Sequence, residues 1–291
     1  MKQSEIIWFN LIKFSVMHLI AFWGVLLAFK CYPQTLFWNF IYGSIGHLGI
    51  TAGAHRLWSH RSYKAKLPLR VFLAVCNCIA LQNSIFDWAR DHRTHHKYSE
   101  TNADPHNAKR GFLFSHVGWI FCRKHPDVVE KGKGIDVSDL LNDPVVVFQR
   151  KYYHGLCTLA CFAVPTLVPT YFWKERILVS FCINMLRYVA FLNVTFLVNS
   201  AAHMWGYRPY DANINPAENL PVAILTLGEG FHNYHHVFPQ DYRTSELGIR
   251  FNISTAFIDV MAFFQVAYDL TTVSKATVLA RRKRTGAFKD F

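Results

Sequence analysis

The sequence predicts an all-α membrane protein, in which four transmembrane helices carry a cytosolic helical cap with a histidine-rich dinuclear metal site. Three observations predict it. Hydrophobic residues make up 52% of the 291 residues and charged residues only 17%, against about 25% charged in ordinary soluble domains. The longest apolar runs come in pairs, each joined by a short turn. Fifteen His are present, and eight of them fall in three tight groups. The apolar content excludes a disordered chain, a collagen and a nucleic-acid-binding tail. A net charge of +12 then fits an anionic substrate or an acidic membrane surface better than nucleic acid. Seven Cys without a Cys-x-x-Cys pair suggest neither a disulfide framework nor a zinc-thiolate site.

Residues 6–29 exceed the roughly 20 residues that a span needs. Asn10, Lys13 and His18 interrupt the first half of this run. No small-residue cleavage site follows, so an anchor is predicted rather than a signal peptide. A second span, 35–54, follows the Cys31–Gln34 turn, with Lys30, Tyr32 and Trp38 at interface positions. The second pair covers 156–173 and 177–201, joined by Lys174-Glu175-Arg176, with Pro165 and Pro169 kinking its first member. Residues 67–86 carry Arg70, Asn77, Gln82 and Asn83, and 253–268 carry Asp259 and Gln265. Both read as helices lying at the interface. Segments 55–155 and 202–291 are then cytosolic. No Gly/Ser/Pro linker divides the chain, so 1–291 is one domain. Sixteen of the 31 Lys and Arg lie between Arg56 and Lys151, and six between Lys275 and Lys289. By the positive-inside rule these segments and both termini face the cytosol.

The three histidine groups are His55/His60, His92/His95/His96 and His232/His235/His236. Imidazole binds transition metals, and four-residue spacing puts two rings on one helical face. The five-residue gap from His55 to His60 does not keep one face of an α-helix, so a helix end is predicted there. Eight imidazoles exceed one four-coordinate zinc site. Close carboxylates are few, Asp91 and Glu229, and the two Glu-x-x-His motifs that carboxylate-bridged bundles use are not both present. An all-imidazole dinuclear site follows, with the metal left open. All the groups lie on one side of the membrane only if 67–86 does not cross. Asn199 and His203, four apart at the end of the fourth span, would approach them.

The strings GITAGAHRLWSHRSYKA, WARDHRTHHKYSE, ADPHNAKRGFLFSHVGW, VNSAAHMWGYRPYD and GEGFHNYHHVFPQDY run from Gly49 to Tyr242. Through them the chain resembles the animal acyl-CoA desaturases of the stearoyl-CoA type. The tail VSKATVLARRKRTG continues the likeness, and Thr244–Gly248 has an arthropod flavour. The resemblance implies two iron ions held by His55, His60, His92, His95, His96, His203, His232, His235 and His236, with Asn199 near one of them through a water. It implies O2 as co-substrate, electrons from cytochrome b5 and its reductase, and an endoplasmic reticulum membrane. The product would be a cis double bond, in this family commonest at delta-9. Gln82, Trp88 and Thr195 would border a bend in the acyl tunnel. Asn83, Arg90, Asp91, Arg123 and Lys124 would contact the coenzyme A head group of the fatty acyl-CoA. Gly43 and His47 would shape the methyl end, Gly43 leaving room and His47 adding polarity, so that chain-length preference changes. The competing readings are a hydroxylase of the same histidine-box group and an inactive lipid-binding relative. His106 and His116 lie in the quoted strings and read as supporting residues rather than ligands.

Overall fold

The computed structural model describes residues 5–250 and 252–287. Helix is the dominant element, and the two short strands β1 (Lys64–Ala65) and β2 (Ala267–Tyr268) pair antiparallel. Trp8–Ala28 (α1), Tyr153–Phe172 and Ile177–Met204 are long and apolar enough to cross a membrane. The second expected span takes a different form. Its α-helical part, Pro33–Leu48 (α2), has 16 residues, and the chain continues as an 11-residue π-helix, Gly49–Ser59. A π-helix closes i→i+5 hydrogen bonds, and the His60 amide donates to the His55 carbonyl at 3.1 Å. The expected helix end at His55 is therefore a continuing helix, in which five residues make one hydrogen-bonded turn.

The segment expected to lie flat over 67–86 is a broken helix. Leu67–Ala80 (α3) packs along α2 and the π segment. Leu81 adopts a left-handed conformation (φ 49°), and Ile85–Tyr98 (α4) departs at 83°. Fourteen residues rise about 21 Å, so α3 alone is too short to cross a core of about 30 Å. Its close approach rests on Gly49, where a Cβ would stand 2.2 Å from the Asn77 backbone nitrogen. Arg187 pins the turn. It is buried among the helices and donates to the Ile79 carbonyl at 3.4 Å, where the C-terminal end of α3 favours a cation.

The proline-bearing helix resolves its own defects. Tyr153–Cys157 passes through a π segment, Thr158–Ala163, into Val164–Phe172 (α5). Proline cannot donate to the carbonyl four residues back. For Pro165 that carbonyl is Cys161 O, which accepts from Asn184 Nδ2 at 3.0 Å and Arg187 Nη2 at 2.9 Å. For Pro169 it is Pro165 O, which accepts from Trp38 Nε1 at 3.3 Å. Both partners lie on neighbouring helices, Trp38 on α2 and the other two on Ile177–Asn199 (α6).

The two short turns meet at one end of the bundle. The Glu175 carboxylate accepts from the Tyr32 amide at 2.9 Å and from Thr35 Oγ1 at 2.7 Å. At the other end the π segment, α4, His232–Val237 (α7) and Ile253–Phe263 (α8) build the cap. Lys275–Thr285 (α9) closes it, with Arg281 paired to Asp211.

Candidate metal centre

Nine imidazoles converge at the join between bundle and cap, in two sets. His55, His60, His92, His96 and His235 bring one nitrogen each within 4.8 Å of all the others, and so do His95, His203, His232 and His236. The helical period sorts them. On α4, His92 and His96 are one turn apart and enter the first set, while His95, rotated by about 100° from His96, enters the second. On α7, His235 joins the first set, and His232 and His236, one turn apart, join the second. Each of these helices thus feeds both sets. The π segment and its cap residue serve only the first, and the extension of α6 through His203 only the second.

The separations suit a cation. Nε2–Nε2 distances are 2.9 Å for His55–His235, His60–His92 and His203–His232, 3.0 Å for His96–His235 and 3.1 Å for His232–His236. Imidazoles bind a metal at about 2.1 Å, so two ligands at right angles stand about 3.0 Å apart and two at the tetrahedral angle about 3.4 Å. These spacings match the right-angled arrangement. Burial, and then the neighbouring imidazoles, push His92, His96, His232, His235 and His236 well below the ordinary histidine value. The rings are therefore neutral, and each has a lone pair to offer.

Three carboxylates decide which nitrogen offers it. His55 Nδ1 donates to Glu229 at 2.8 Å, His95 Nδ1 to Asp104 at 2.9 Å and His203 Nδ1 to Glu100 at 2.7 Å. Each Nδ1–H leaves Nε2 as the ligand atom. Burial alone would raise the Glu229 carboxyl, but Arg56 and His55 beside it hold it at about 2. Asp104 is likewise held at about 2, against its burial, by His95 and His106. Burial and then Asp104 raise Glu100. Of the two acids noted beside the histidine groups in the sequence, Glu229 stands here. Asp91 does not, and pairs with Arg90 at 2.9 Å and with Lys124. Glu100 and Asp104 escaped the sequence reading because they follow the second group in an irregular loop. The one local signal is their place just past His-x-x-His-His. Glu100 holds a left-handed conformation (φ 62°), a strain that functional loops retain.

Asp104 shows how closely one acid can be bound. Oδ1 accepts from His95 and, at 3.1 Å, from the His106 amide, and Oδ2 accepts from the Glu100 amide at 2.9 Å. Asp104→Asn has one acceptor oxygen for these donors, and its amide must face one of them. Metal affinity or turnover should fall about 10–100-fold, as metal titration and product per minute would show.

Both sets border one cavity. Its lining includes His47, His55, Trp88, His92, His95, Thr195, Asn199 and His232. Trp88 stacks on His92 with ring centroids 4.7 Å apart, and Gln82 Nε2 donates to Thr195 Oγ1 at 3.0 Å. Asn199, the last residue of α6, reaches the cavity wall but belongs to neither set. Gly43 does not leave open room: Phe191 fills the space above it, and a Cβ there would stand 2.4 Å from that ring. His47 is buried against the same ring, centroids 5.9 Å apart. On the outer surface Arg90, Asp91 and Lys124 form a chain of ion pairs, while Arg123 pairs with Glu5 at 3.0 Å. Asn83, exposed at φ 76°, stands outside this chain of ion pairs. His116 stands apart from the imidazole sets, at 3.0 Å from Ser200 Oγ and 3.2 Å from Asn193 Oδ1.

A membrane-bound helical protein with two imidazole clusters compatible with metal ions is the class that this fold and site define. The chain belongs to the fatty acid desaturase family, whose model matches residues 32–253. It is 57% identical over 285 residues to stearoyl-CoA desaturase 5 of Bos taurus, covering 98% of this chain and 85% of that protein. It is 56% identical over 285 residues to the stearoyl-CoA desaturase of Homo sapiens, covering 98% and 79%. The acyl-CoA desaturase of Ovis aries gives the same identity and coverage.

Proposed function

We propose that this protein is an oxygen-dependent acyl-CoA desaturase that inserts a cis double bond, at delta-9, into a saturated fatty acyl-CoA. The observation that carries this reading is the single cavity walled by imidazoles of both clusters, in a chain of the desaturase family. Two iron ions, held by the nine imidazoles with Asn199 near one through a water, would supply with O2 the oxidation of unactivated C–H bonds that no acid or base side chain can attack.

The residues of the chain supply the rest. Glu229, Asp104 and Glu100 hold protons on Nδ1 and keep the ligand nitrogens pointed inward. Trp88 and Val198 help to keep water out of the cavity. The Gln82–Thr195 hydrogen bond braces the wall at the place where an acyl chain would bend and present two adjacent carbons. Arg90, Arg123 and Lys124, with Asn83 and Asp91, would meet the head group, since guanidinium and ammonium groups bind phosphate. Electrons would come from cytochrome b5 and its reductase. The concentration of basic residues in the cap supports a cytosolic cap in the endoplasmic reticulum membrane.

Expression in a yeast lacking its own desaturase tests the reading. Growth without added unsaturated fatty acid, with a new delta-9 monoene located by mass spectrometry, is expected. Hydroxy acids alone would favour the hydroxylase. Membrane-inserted, iron-loaded protein without product would mark an inactive relative. In the same cells His47→Ala enlarges the cavity beside Phe191, so product chain lengths should shift upward. An ordinary eighteen-carbon preference unchanged by His47→Ala removes any role for this residue in chain length.

A further inference from the structure

The cavity wall holds a polar atom that this chemistry leaves unused. His47 is 3% exposed and lies on α2, toward the membrane from His55. Its Nε2 is 3.2 Å from the Thr226 carbonyl oxygen. A carbonyl only accepts, so Nε2 carries the proton and the neutral ring keeps a lone pair on Nδ1. That Nδ1 has no hydrogen-bond partner among the described residues. Thr51, four positions further along the helix, lines the same cavity and accepts from Ser254 Oγ at 2.7 Å. Its own hydroxyl proton is left to donate. An acceptor and a donor about one helical turn apart thus line the same cavity, together with Ile50, Trp88 and Val198 among others.

A hydrocarbon chain satisfies neither group, and a buried acceptor left unpaired is costly. An alcohol satisfies both, because its O–H donates to Nδ1 while its oxygen accepts from Thr51. We infer that His47 and Thr51 form a polar subsite that selects acyl chains bearing a hydroxyl group in the half beyond the reacting carbons. The far half is the one that reaches it. His47 lies deeper along α2 than His55, whereas Arg90 and Lys124 stand on the outer surface. The inference rests on the acyl-CoA reading above.

The test uses the full chain, metal-loaded, in lipid nanodiscs. Binding is measured without oxygen, by competition between octadecanoyl-CoA and hydroxyoctadecanoyl-CoA isomers whose hydroxyl moves one carbon at a time along the far half. One isomer should bind about tenfold more tightly than octadecanoyl-CoA, as one added hydrogen bond allows. His47→Leu should abolish that advantage. His47→Gln, which can present an acceptor oxygen, should keep part of it. An equal affinity for every isomer overturns the subsite, and so does a preference that survives His47→Leu. If octadecanoyl-CoA binds and is desaturated but no isomer is preferred, the subsite fails and the acyl-CoA reading stands. If no acyl-CoA binds, the acyl-CoA reading fails and the subsite with it.

Discussion

Replacing His235 by Ala should abolish desaturation and leave the first imidazole set short of metal. His235 Nε2 lies 2.9 Å from that of His55 and 3.0 Å from that of His96, so it links the π segment to α4. A carboxylate that only orients a ligand is worth about 10–100-fold in metal affinity or activity, so loss of the ligand itself should exceed about 100-fold. Metal per protein should fall toward one ion, measured by elemental analysis on the purified variant beside wild type. His116→Ala is the control. Its ring meets Ser200 and Asn193, so both metals should remain. Full activity and two metals in His235→Ala would remove this residue from the centre.

The second large effect is on stability. Arg56 is 1% exposed. It donates to Glu229, to the Tyr242 carbonyl at 3.0 Å, to Thr255 Oγ1 at 2.9 Å and to Asn252 Oδ1 at 3.1 Å. It therefore joins the π segment to α8 and to the segment before α7. Arg56→Met fills a similar volume but takes the cationic partner from Glu229, leaving it only His55, and removes one donor from each of three other acceptors. Removing one partner of a buried ion pair costs about 3–5 kcal/mol, so the cap should unfold at lower temperature or denaturant. Arg56→Met with Glu229→Leu should recover part of the stability but not the activity, because His55 then loses its orienting acid. Acid should act through the same group. The folded Glu229 carboxyl sits at about 2 against an ordinary 4.5, so its folded-state pKa is depressed. Its contribution is complete above about pH 4.5 and is lost as pH falls toward 2. Glu229→Gln should flatten that part of the stability profile.

The imidazole clusters were legible because metal ligation needs many residues of one rare type, and helical spacing keeps them close in sequence. The apolar runs were legible for a similar reason, since lipid demands long uninterrupted stretches. What escaped depends on contacts between distant segments. Glu100 and Asp104 become partners of His203 and His95 only when the loop after α4 folds back. The descent of α3 along α2 depends on Gly49, whose missing side chain has no meaning until Asn77 lies against it. Arg187, a lone cation within the fourth apolar run, stabilises the turn after α3, a role that no local pattern signals. Gly43 illustrates the opposite error. A small residue suggested open space, and a ring from α6 occupies it.

The π-helix carries a consequence for changes in chain length. Its turns are wider than those of α2, so the segment carries more residues over the same rise than an α-helix would. Deleting one residue, such as Ala52, would let it relax toward α geometry. That would swing His60 away from His92 while leaving an apolar helix long enough to stay inserted. The segment should therefore accept conservative substitutions of its small residues where space allows, yet reject any insertion or deletion. A deletion scan read by membrane insertion and metal content separately would show this as inserted protein with an incomplete first cluster.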